Sequence, residues 1–228
     1  MKTLAIEMST NTGSIALLVG HDVVCERVWD ESRAERQGLF AELGQLCATG
    51  VLELADVDLF AVGVGPGAFA GLRMAMAAAC SLAAPGAKRV VGIGSSEAAA
   101  YECLNRSKTD EVVVFGDARR QELWAHKFRR GRIWPELQAP MFVGNPDGGS
   151  SFCGSGLTAW ITADWDRIGS RLESICPAEV VLERRRVVPS ARSIGLLGLA
   201  KLDHGSATEP LVPVYVHPAT TVAPRDRE

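Results

Sequence analysis

The stretch that decides the fold is FAVGVGPGAFAGLRMAMAAACSLAAP, residues 60–85. Its first five residues form an apolar run with the length of a core strand, and Pro66 between Gly65 and Gly67 predicts a turn directly after that strand. A helix can then continue until Pro85, because alanine is the best helix former and no earlier residue breaks the backbone ladder. The stretch therefore predicts a buried strand, a glycine turn and a helix.

Two features of this stretch predict contacts. Glycine or alanine recurs at every fourth position of the helix, which predicts a face that a second helix can approach closely. These positions are Gly67, Gly71, Ala75, Ala79 and Ala83. The backbone N–H groups of Gly65, Gly67 and Ala68 are candidates for holding a phosphate, since a helix N-terminus attracts anions. A plain strand-to-helix turn explains these residues equally well, because the dinucleotide fingerprint and the Lys-Ser/Thr pair of a P-loop are both missing from the sequence.

The composition is that of an ordinary globular protein. The chain has 228 residues, of which 47% are hydrophobic and 22% charged, and its formal net charge of −3 gives nucleic acid no strong overall attraction. The first hundred residues contain seven Lys/Arg and eleven Asp/Glu, or −4, and the remainder contain seventeen and sixteen, or +1. Any contact with RNA is therefore expected in the second half.

The cysteines and the N-terminus predict a cytoplasmic location. Six cysteines without a C-x-x-C pair indicate reduced core residues. Lys2 leads directly into a strand pattern, so we expect no secretory signal. The most apolar stretch, 67–84, contains Arg73 and is bounded by prolines, which predicts that it falls short of a membrane span.

The rest of the first half predicts a meander followed by alternating helices and strands. Three strand-like runs precede an amphipathic helix over residues 34–50, and the strand and helix of 60–85 are followed by a strand at 89–93. A further helix begins at Ser95 or Ser96, either of which can act as N-cap.

The second half repeats this plan more weakly. Strands are predicted at 111–117 and 122–128, a glycine turn at 152–156 with a helix over 157–163, a strand near 179–182 and a last helix at 190–204. We therefore predict an α/β protein with two duplicated β-β-β-α-β-α-β-α halves, 1–106 and 107–228. The second half is reduced, and its last segment is expected to pack back on the first. A cleft between such halves normally binds a nucleotide.

Five segments together resemble the TsaB family, also called YeaZ. They are LAIEMSTNTGSIAL (4–17), GVGPGAFAGLRM (63–74), VGIGSS (91–96), DARRQE (117–122) and PVY (213–215), in the family's order and across nearly the whole chain. The resemblance implies the actin/hexokinase/Hsp70-like (ASKHA) fold. It also implies a catalytically silent relative of TsaD, with which TsaB pairs to install threonylcarbamoyl on the adenosine beside the anticodon of certain tRNAs.

The resemblance further implies a scaffold role. A TsaD-like catalytic subunit would be the main partner, which this chain binds and activates, and a TsaE-like ATPase the second. The isolated chain would form a homodimer, contact tRNA only indirectly, have no membrane contact and bind no cofactor alone, ATP being possible only in the complex. The helices at 34–50 and 67–84 would form the partner bundle. The expected interface residues are Leu39, Leu43, Gly71, Leu72, Ala75, Met76 and Ala79.

Three residues depart from the family pattern. Family members usually have Asp at the position of Glu7, and Ser and Thr at those of Ala68 and Ala70. In active ASKHA enzymes that Asp handles the metal-bound phosphate. A longer carboxylate and two methyl groups leave only backbone donors for a phosphate, which makes binding by this chain alone less favourable.

No catalytic or metal-binding residue is predicted. The four histidines, at 21, 126, 204 and 217, are never one helical turn apart and are typical of surface or loop positions, and Cys153 has no identifiable histidine partner. Arginine clusters at 119–120, 129–132 and 184–186 are typical of a solvated face. Two enzyme alternatives stay open, an ASKHA-type phosphotransferase and a glycoprotease-like peptidase. A third alternative is a self-associating regulator that never meets TsaD.

Overall fold

The computed structural model describes residues 1–31, 38–146, 148–154 and 156–216. Its first sheet has five strands in the order β3-β2-β1-β4-β5. The strands are β1 (Lys2–Glu7), β2 (Thr12–Val19), β3 (Asp22–Asp30), β4 (Leu59–Gly63) and β5 (Arg89–Ile93). The first three are antiparallel neighbours, and β4 and β5 are added in parallel with β1. This arrangement confirms the predicted meander and the strand that precedes the glycine turn.

The second sheet repeats this order. Its main path is β11-β10-β6-β7-β8, with β9 also paired to β7. The strands are β6 (Glu111–Arg119), β7 (Glu122–Arg129), β8 (Glu136–Leu137), β9 (Phe142–Gly144), β10 (Thr158–Thr162) and β11 (Val181–Arg186). Again an antiparallel hairpin is followed by parallel strands. The duplicated α/β architecture is therefore confirmed.

In the described residues, five α-helices cover the two sheets. They are α1 (Gly38–Ala48), α2 (Phe69–Ala83), α3 (Ser95–Arg106), α4 (Trp165–Ile175) and α5 (Ala191–Asp203). Residues 34–37 of the helix predicted at 34–50 lie outside the described residues. No α-helix stands between β7 and β10 in the described part of the second half, where the first half has α1, so the second half is reduced as predicted.

Each face of the first sheet has its own core. Along β1, Leu4 and Ile6 contact the α1 and α2 side, whereas Ala5 contacts the α5 side, as the two-residue period of a strand requires. On the second sheet, α3 packs against Val112 and α4 packs on the opposite face. The layers are thus α1 with α2, first sheet, α5 with α3, second sheet, and α4.

A buried ion pair joins the two helices of the central layer. Lys201 Nζ of α5 lies 2.7 Å from Glu97 Oε2 of α3, and both side chains are about nine-tenths buried. Burial raises the pKa of Glu97, and the nearby ammonium opposes that rise. Removing one partner would leave the other charge buried and unpaired, so this pair constrains how α5 sits on α3.

The helix predicted over residues 157–163 is wrong. Thr158–Thr162 is strand β10, whose five residues are all buried between β6 and β11, and the helix begins at Trp165. A short apolar run fits a buried strand and a buried helix segment equally well, so the spacing of its apolar residues could not distinguish a strand from a helix. The spacing of Trp165, Ile168 and Leu172 was the helix signal that the sequence reasoning missed.

The small-residue stripe of α2 faces the inside of the same chain. A Cβ on Gly71 would lie 2.1 Å from Met8 O, and one on Gly67 would lie 2.2 Å from Ser9 O. Ala75 and Ala79 are fully buried on the first sheet. The stripe therefore lets α2 approach the backbone after β1, and the expectation that it receives a second helix is corrected.

The apolar character of α2 requires a further correction. Residues Phe69–Gly86 are long and apolar enough, with a mean hydropathy of 1.2, to cross a membrane by length and composition alone. The prediction that this stretch falls short was therefore too strict. A third of the segment is buried inside the protein, where Leu72 and Ala79 belong to the core on the first sheet.

We predict that Gly71→Ala destabilises the protein, because the added methyl group would collide with the carbonyl of Met8 and force a backbone shift. The expected loss in free energy of unfolding is about 1–3 kcal/mol. Gly44→Ala on α1 is the matched control, since a Cβ there meets nothing within 4 Å. The control should be neutral or more stable by up to about 1 kcal/mol. Equal urea midpoints for both variants would contradict the close contact.

Candidate functional site

A cleft opens between the two sheets, at the glycine turn. Its volume is about 320 Å³. The first half contributes the turn after β1 and the glycine turn, and the second half contributes the end of β6 and the start of α4. Polar residues on its wall include Ser9, Asn11, Ser96, Asp117 and Arg167. This is the place where the duplicated architecture predicted a nucleotide site.

Glu7 lies at the end of β1, fully buried beside this cleft. Its Oε1 accepts a hydrogen bond from the Ser9 N–H at 2.5 Å, and its Oε2 accepts one from the Ser95 hydroxyl at 2.8 Å. Burial raises the pKa of the Glu7 carboxyl, while these hydrogen bonds oppose the rise. The carboxylate therefore connects the β1 end to the start of α3.

Gly63 makes room for that carboxylate. A Cβ at this position of β4 would lie only 1.9 Å from Glu7 Oε2. Ser95 was predicted as a helix cap, but its hydroxyl is used by Glu7 and Gly65 and makes no cap hydrogen bond to α3. Sequence reasoning missed this role. A buried acid two residues before Ser9 was the available signal, because a buried carboxylate needs donors nearby.

Two of the three turn donors are already occupied. The Gly65 N–H donates to Ser95 Oγ at 3.1 Å, and the Ala68 N–H donates to the Ser9 carbonyl at 2.6 Å. Pro66 has no N–H to offer. Within the described part of the chain, only the Gly67 N–H of this turn is left without a partner. Of the three phosphate candidates, Gly65 and Ala68 are thus used in holding the turn itself.

The PVY segment at 213–215 packs against the same turn. The Val214 N–H donates to the Val64 carbonyl at 2.8 Å, and the Tyr215 ring stacks on Phe69 with 5.0 Å between ring centroids. The guanidinium group of Arg73 lies over the Phe69 ring, 4.2 Å from its centroid. The Nε of Arg73 also donates a hydrogen bond to the Tyr215 hydroxyl at 3.0 Å. The segment near the C-terminus therefore fixes the first turn of α2.

Most of the expected interface residues lie in the core of this chain. Six of the seven are buried on the first sheet, namely Leu39, Leu43, Leu72, Ala75, Met76 and Ala79. Gly71 is half-buried against Met8. These side chains are not available to a partner on the surface of the monomer. The expectation is corrected for these residues, because α1 and α2 turn their most apolar sides toward their own sheet.

The opposite sides of α1 and α2 are exposed and nearly free of charge. We call this surface the outer face. Its residues are Phe40, Ala41, Gly44, Gln45, Ala48, Ala70, Ala77, Cys80 and Ser81. Phe40 is 58% exposed, and Arg73 is the one exposed charge in these two described helices. Surface helices usually present charged residues to water, so an uncharged outer face is typical of an interaction surface.

The three described histidines do not converge on a metal site. Among the described residues, no three His, Cys, Asp or Glu side chains come together as metal ligands. His21 contacts Asp203, and His204 contacts the Ala200 carbonyl. His126 was predicted as a surface residue but is half-buried in β7 beside Ser96, and burial lowers its pKa to about 4. His217 lies outside the described residues.

The cysteines are all free, but their positions differ from expectation. Cys103 is buried, whereas Cys47 and Cys80 are exposed on α1 and α2. Burial raises the pKa of the Cys153 thiol, as does the nearby Glu179 carboxylate, so its thiolate is disfavoured. This chemistry does not favour a nucleophile at Cys153.

Comparison with known proteins gives a consistent family. Residues 31–136 match the family model of TsaD, tRNA N6-adenosine threonylcarbamoyltransferase. An uncharacterized protein of Mycobacterium tuberculosis is 34% identical over 125 residues, 54% of this chain and 57% of that protein. The tRNA threonylcarbamoyladenosine biosynthesis protein TsaB of Haemophilus influenzae is 28% identical over 131 residues, 57% of this chain and 55% of that one. The chain thus spans little more than half the length of these curated relatives.

The solved structure of YeaZ from Pseudomonas aeruginosa has the same fold. It superposes with a TM-score of 0.78 at 23% identity, covering 94% of this chain and 99% of that chain. The duplicated sheets and this match confirm the ASKHA fold class. The family-model match and the TsaB relative support a TsaB/YeaZ family assignment, and the YeaZ structure shows the same fold.

Proposed function

We propose that this chain is a non-catalytic scaffold subunit in threonylcarbamoyl transfer to tRNA, and that it binds and activates a TsaD-like catalytic subunit. The observation that carries the proposal is the Glu7 network. The carboxylate that would face a metal-bound phosphate in an active relative is buried, and it is hydrogen-bonded to Ser9 and Ser95 of its own chain. The acid is therefore used to hold the cleft wall together.

The turn supports the same proposal. Gly65 and Ala68 use their N–H groups inside the protein, so a phosphate arriving at the turn would meet one free backbone donor, that of Gly67, instead of a cradle. Phosphate sites at helix N-termini depend on several converging N–H groups. We infer that the isolated chain binds no nucleotide and that ATP enters only in the assembled complex.

The outer face of α1 and α2 is the proposed partner surface. Its side chains are uncharged and mostly small, so two helices of a second chain could pack closely against it, as in helix bundles built from four helices. A TsaD-like subunit is the proposed occupant in the complex, and a second copy of this chain takes its place in the isolated protein. A TsaE-like ATPase would bind elsewhere on the assembly. The cytoplasm is the compartment in which tRNA meets all three.

Ala77→Arg tests the partner surface. Ala77 is exposed near the middle of α2, and arginine is a good helix former, so the variant should fold. In a bundle the new charge would be buried without a partner, which costs about 3–5 kcal/mol. We therefore expect binding to a TsaD-like subunit and self-association to weaken at least a hundredfold, as measured by pull-down titration and analytical ultracentrifugation.

Ser170→Arg is the matched control for this experiment. Ser170 is exposed on α4, on the far side of the second sheet, and the same charge there should change neither association. Normal association of the Ala77 variant would show that the interface lies elsewhere. If the Ala77 variant loses only self-association, the TsaD-like partner does not use the outer face and the self-associating regulator is favoured.

A second experiment tests nucleotide binding. A ligand that binds only the folded state raises the free energy of unfolding, by about 2.7 kcal/mol at a hundredfold excess over its Kd. Because Glu7 is bonded to Ser9 and Ser95 and the turn offers one free backbone donor, we expect millimolar ATP with Mg²⁺ to leave the urea midpoint of the isolated chain unchanged. A clear increase, together with ATP hydrolysis, would support the phosphotransferase alternative.

A further inference from the structure

An arginine-lined groove lies beside the cleft, on the second half of the chain. It is about 610 Å³ in volume and is formed by the tip of the β6–β7 hairpin and the outer side of α4. Arg119 and Arg167 line both the groove and the cleft, so the two are continuous. The basic residues of the groove are Arg119, Arg120, Arg167 and Arg171.

The groove has more positive charge than its own acids neutralise. Its four guanidinium groups face two carboxylates, those of Asp117 and Glu122. Asp117 lies 3.9 Å from Arg119 and 3.6 Å from Arg167, which is too long for strong hydrogen bonds. In the described part of the chain, Arg120 forms no ion pair. Three guanidinium groups therefore have N–H donors to offer to an anion.

The fourth arginine holds the groove in shape. Arg171 of α4 donates through Nη1 to the Gln121 carbonyl at 2.5 Å, and through Nη2 to the side chain of Asn145. It thereby ties the hairpin tip to α4 and to the loop after β9. The Arg171 side chain therefore fixes the distance between the hairpin tip and α4. The N–H donors of Arg119 and Arg167 consequently face the same groove.

The hairpin tip has a backbone that its sequence does not favour. Arg119, Arg120 and Gln121 have φ angles of 67°, 51° and 63°. Tight hairpin turns with this left-handed backbone normally use Asn and Gly, since larger side chains cost roughly 1–2 kcal/mol per residue there. Arginine at two such positions weakens the turn and places two guanidinium groups at the groove rim. A backbone conformation that its own residues disfavour is typical of a functional segment.

We propose that this groove binds the phosphodiester backbone of tRNA. The proposal rests on the proposed function, which makes tRNA the substrate of the assembled complex. Arginine forms paired hydrogen bonds to phosphate oxygens, and several such groups along an open groove suit a chain of phosphates better than one enclosed phosphate. The groove gives the complex a direct tRNA contact on this subunit, in the half of the chain that is less acidic.

The test uses the double variant Arg119→Asn with Arg120→Asn. Asparagine tolerates the left-handed backbone, so the variant should be at least as stable as the wild type while losing two positive charges. The matched control is Arg184→Gln with Arg185→Gln on β11. This variant loses the same charge outside the groove, from arginines that pair with Glu173 and Glu183.

Fluorescence anisotropy with an unmodified tRNA transcript, measured across a salt series, gives the readout. We expect wild-type binding to weaken steeply with salt, the hairpin variant to bind at least tenfold more weakly at low salt, and its salt slope to fall by about two. The β11 control should stay within about twofold of wild type. Equal slopes for all three proteins, or no measurable binding by the wild type, would overturn the proposal.

Two further measurements are needed. The first distinguishes a nucleotide from tRNA as the ligand of the groove, and the second distinguishes the groove proposal from the scaffold proposal. ATP replaces tRNA in the first arm; an affinity for ATP that the hairpin variant loses, with tRNA binding unchanged, would assign the groove to a nucleotide and overturn the inference. In the second arm, capture of the TsaD-like subunit should be unchanged in the hairpin variant. Failure of the wild type to capture that subunit would refute the scaffold role, whereas the tRNA measurement on the isolated chain would still decide the groove.

Discussion

The buried carboxylate of Glu7 is the constraint on which the site depends. An acid without exposure to water needs donors from its own protein, and here the Ser9 N–H and the Ser95 hydroxyl supply them. The Ser95 hydroxyl also accepts from the Gly65 N–H, so one network connects the end of β1, the glycine turn and the start of α3. Glycine at position 63 is required because any side chain would occupy the place of the carboxylate. The carboxylate and the Ser95 hydroxyl thereby belong to the framework that forms the wall of the cleft.

The packing of α2 on the first sheet determines which of its residues reach the surface. Its small residues allow it to lie directly on the backbone after β1, where Gly71 nearly touches the Met8 carbonyl. Most of its small and bulky apolar residues are turned inward, and the helix presents Ala70, Arg73 and Ala77 to water. The same packing therefore produces an outer side on which Arg73 is the one exposed charge in the described part of α2. The proposed partner surface would then follow from how one helix sits on one sheet.

The sequence predicted the larger features of this structure and missed those that depend on contacts distant in the chain. The meander, the strand before the turn and α2 follow from apolar period and from the positions of Pro66 and Pro85, which are local properties. Ser95 looked like a helix cap because its distant partner Glu7 was not visible. The stripe containing Ala75 and Ala79 looked like a partner surface, because period alone does not say which side of a helix meets its own sheet. The arginines at 119 and 120 are exposed, as expected of a solvated face, but the left-handed backbone of the hairpin and the groove beside α4 could not be inferred from composition.

Replacing Glu7 by aspartate is the most direct test of the central claim that this acid is structural. Aspartate restores the residue usual in the family but is one methylene shorter, so it cannot reach both Ser9 and Ser95. The account predicts that Glu7→Asp lowers the free energy of unfolding by about 1–3 kcal/mol, through a donor left unsatisfied, and gains no ATP affinity in calorimetry. Glu7→Gln, which keeps the length of the side chain, should lose less stability. Unchanged stability of the aspartate variant together with micromolar ATP binding would contradict the account.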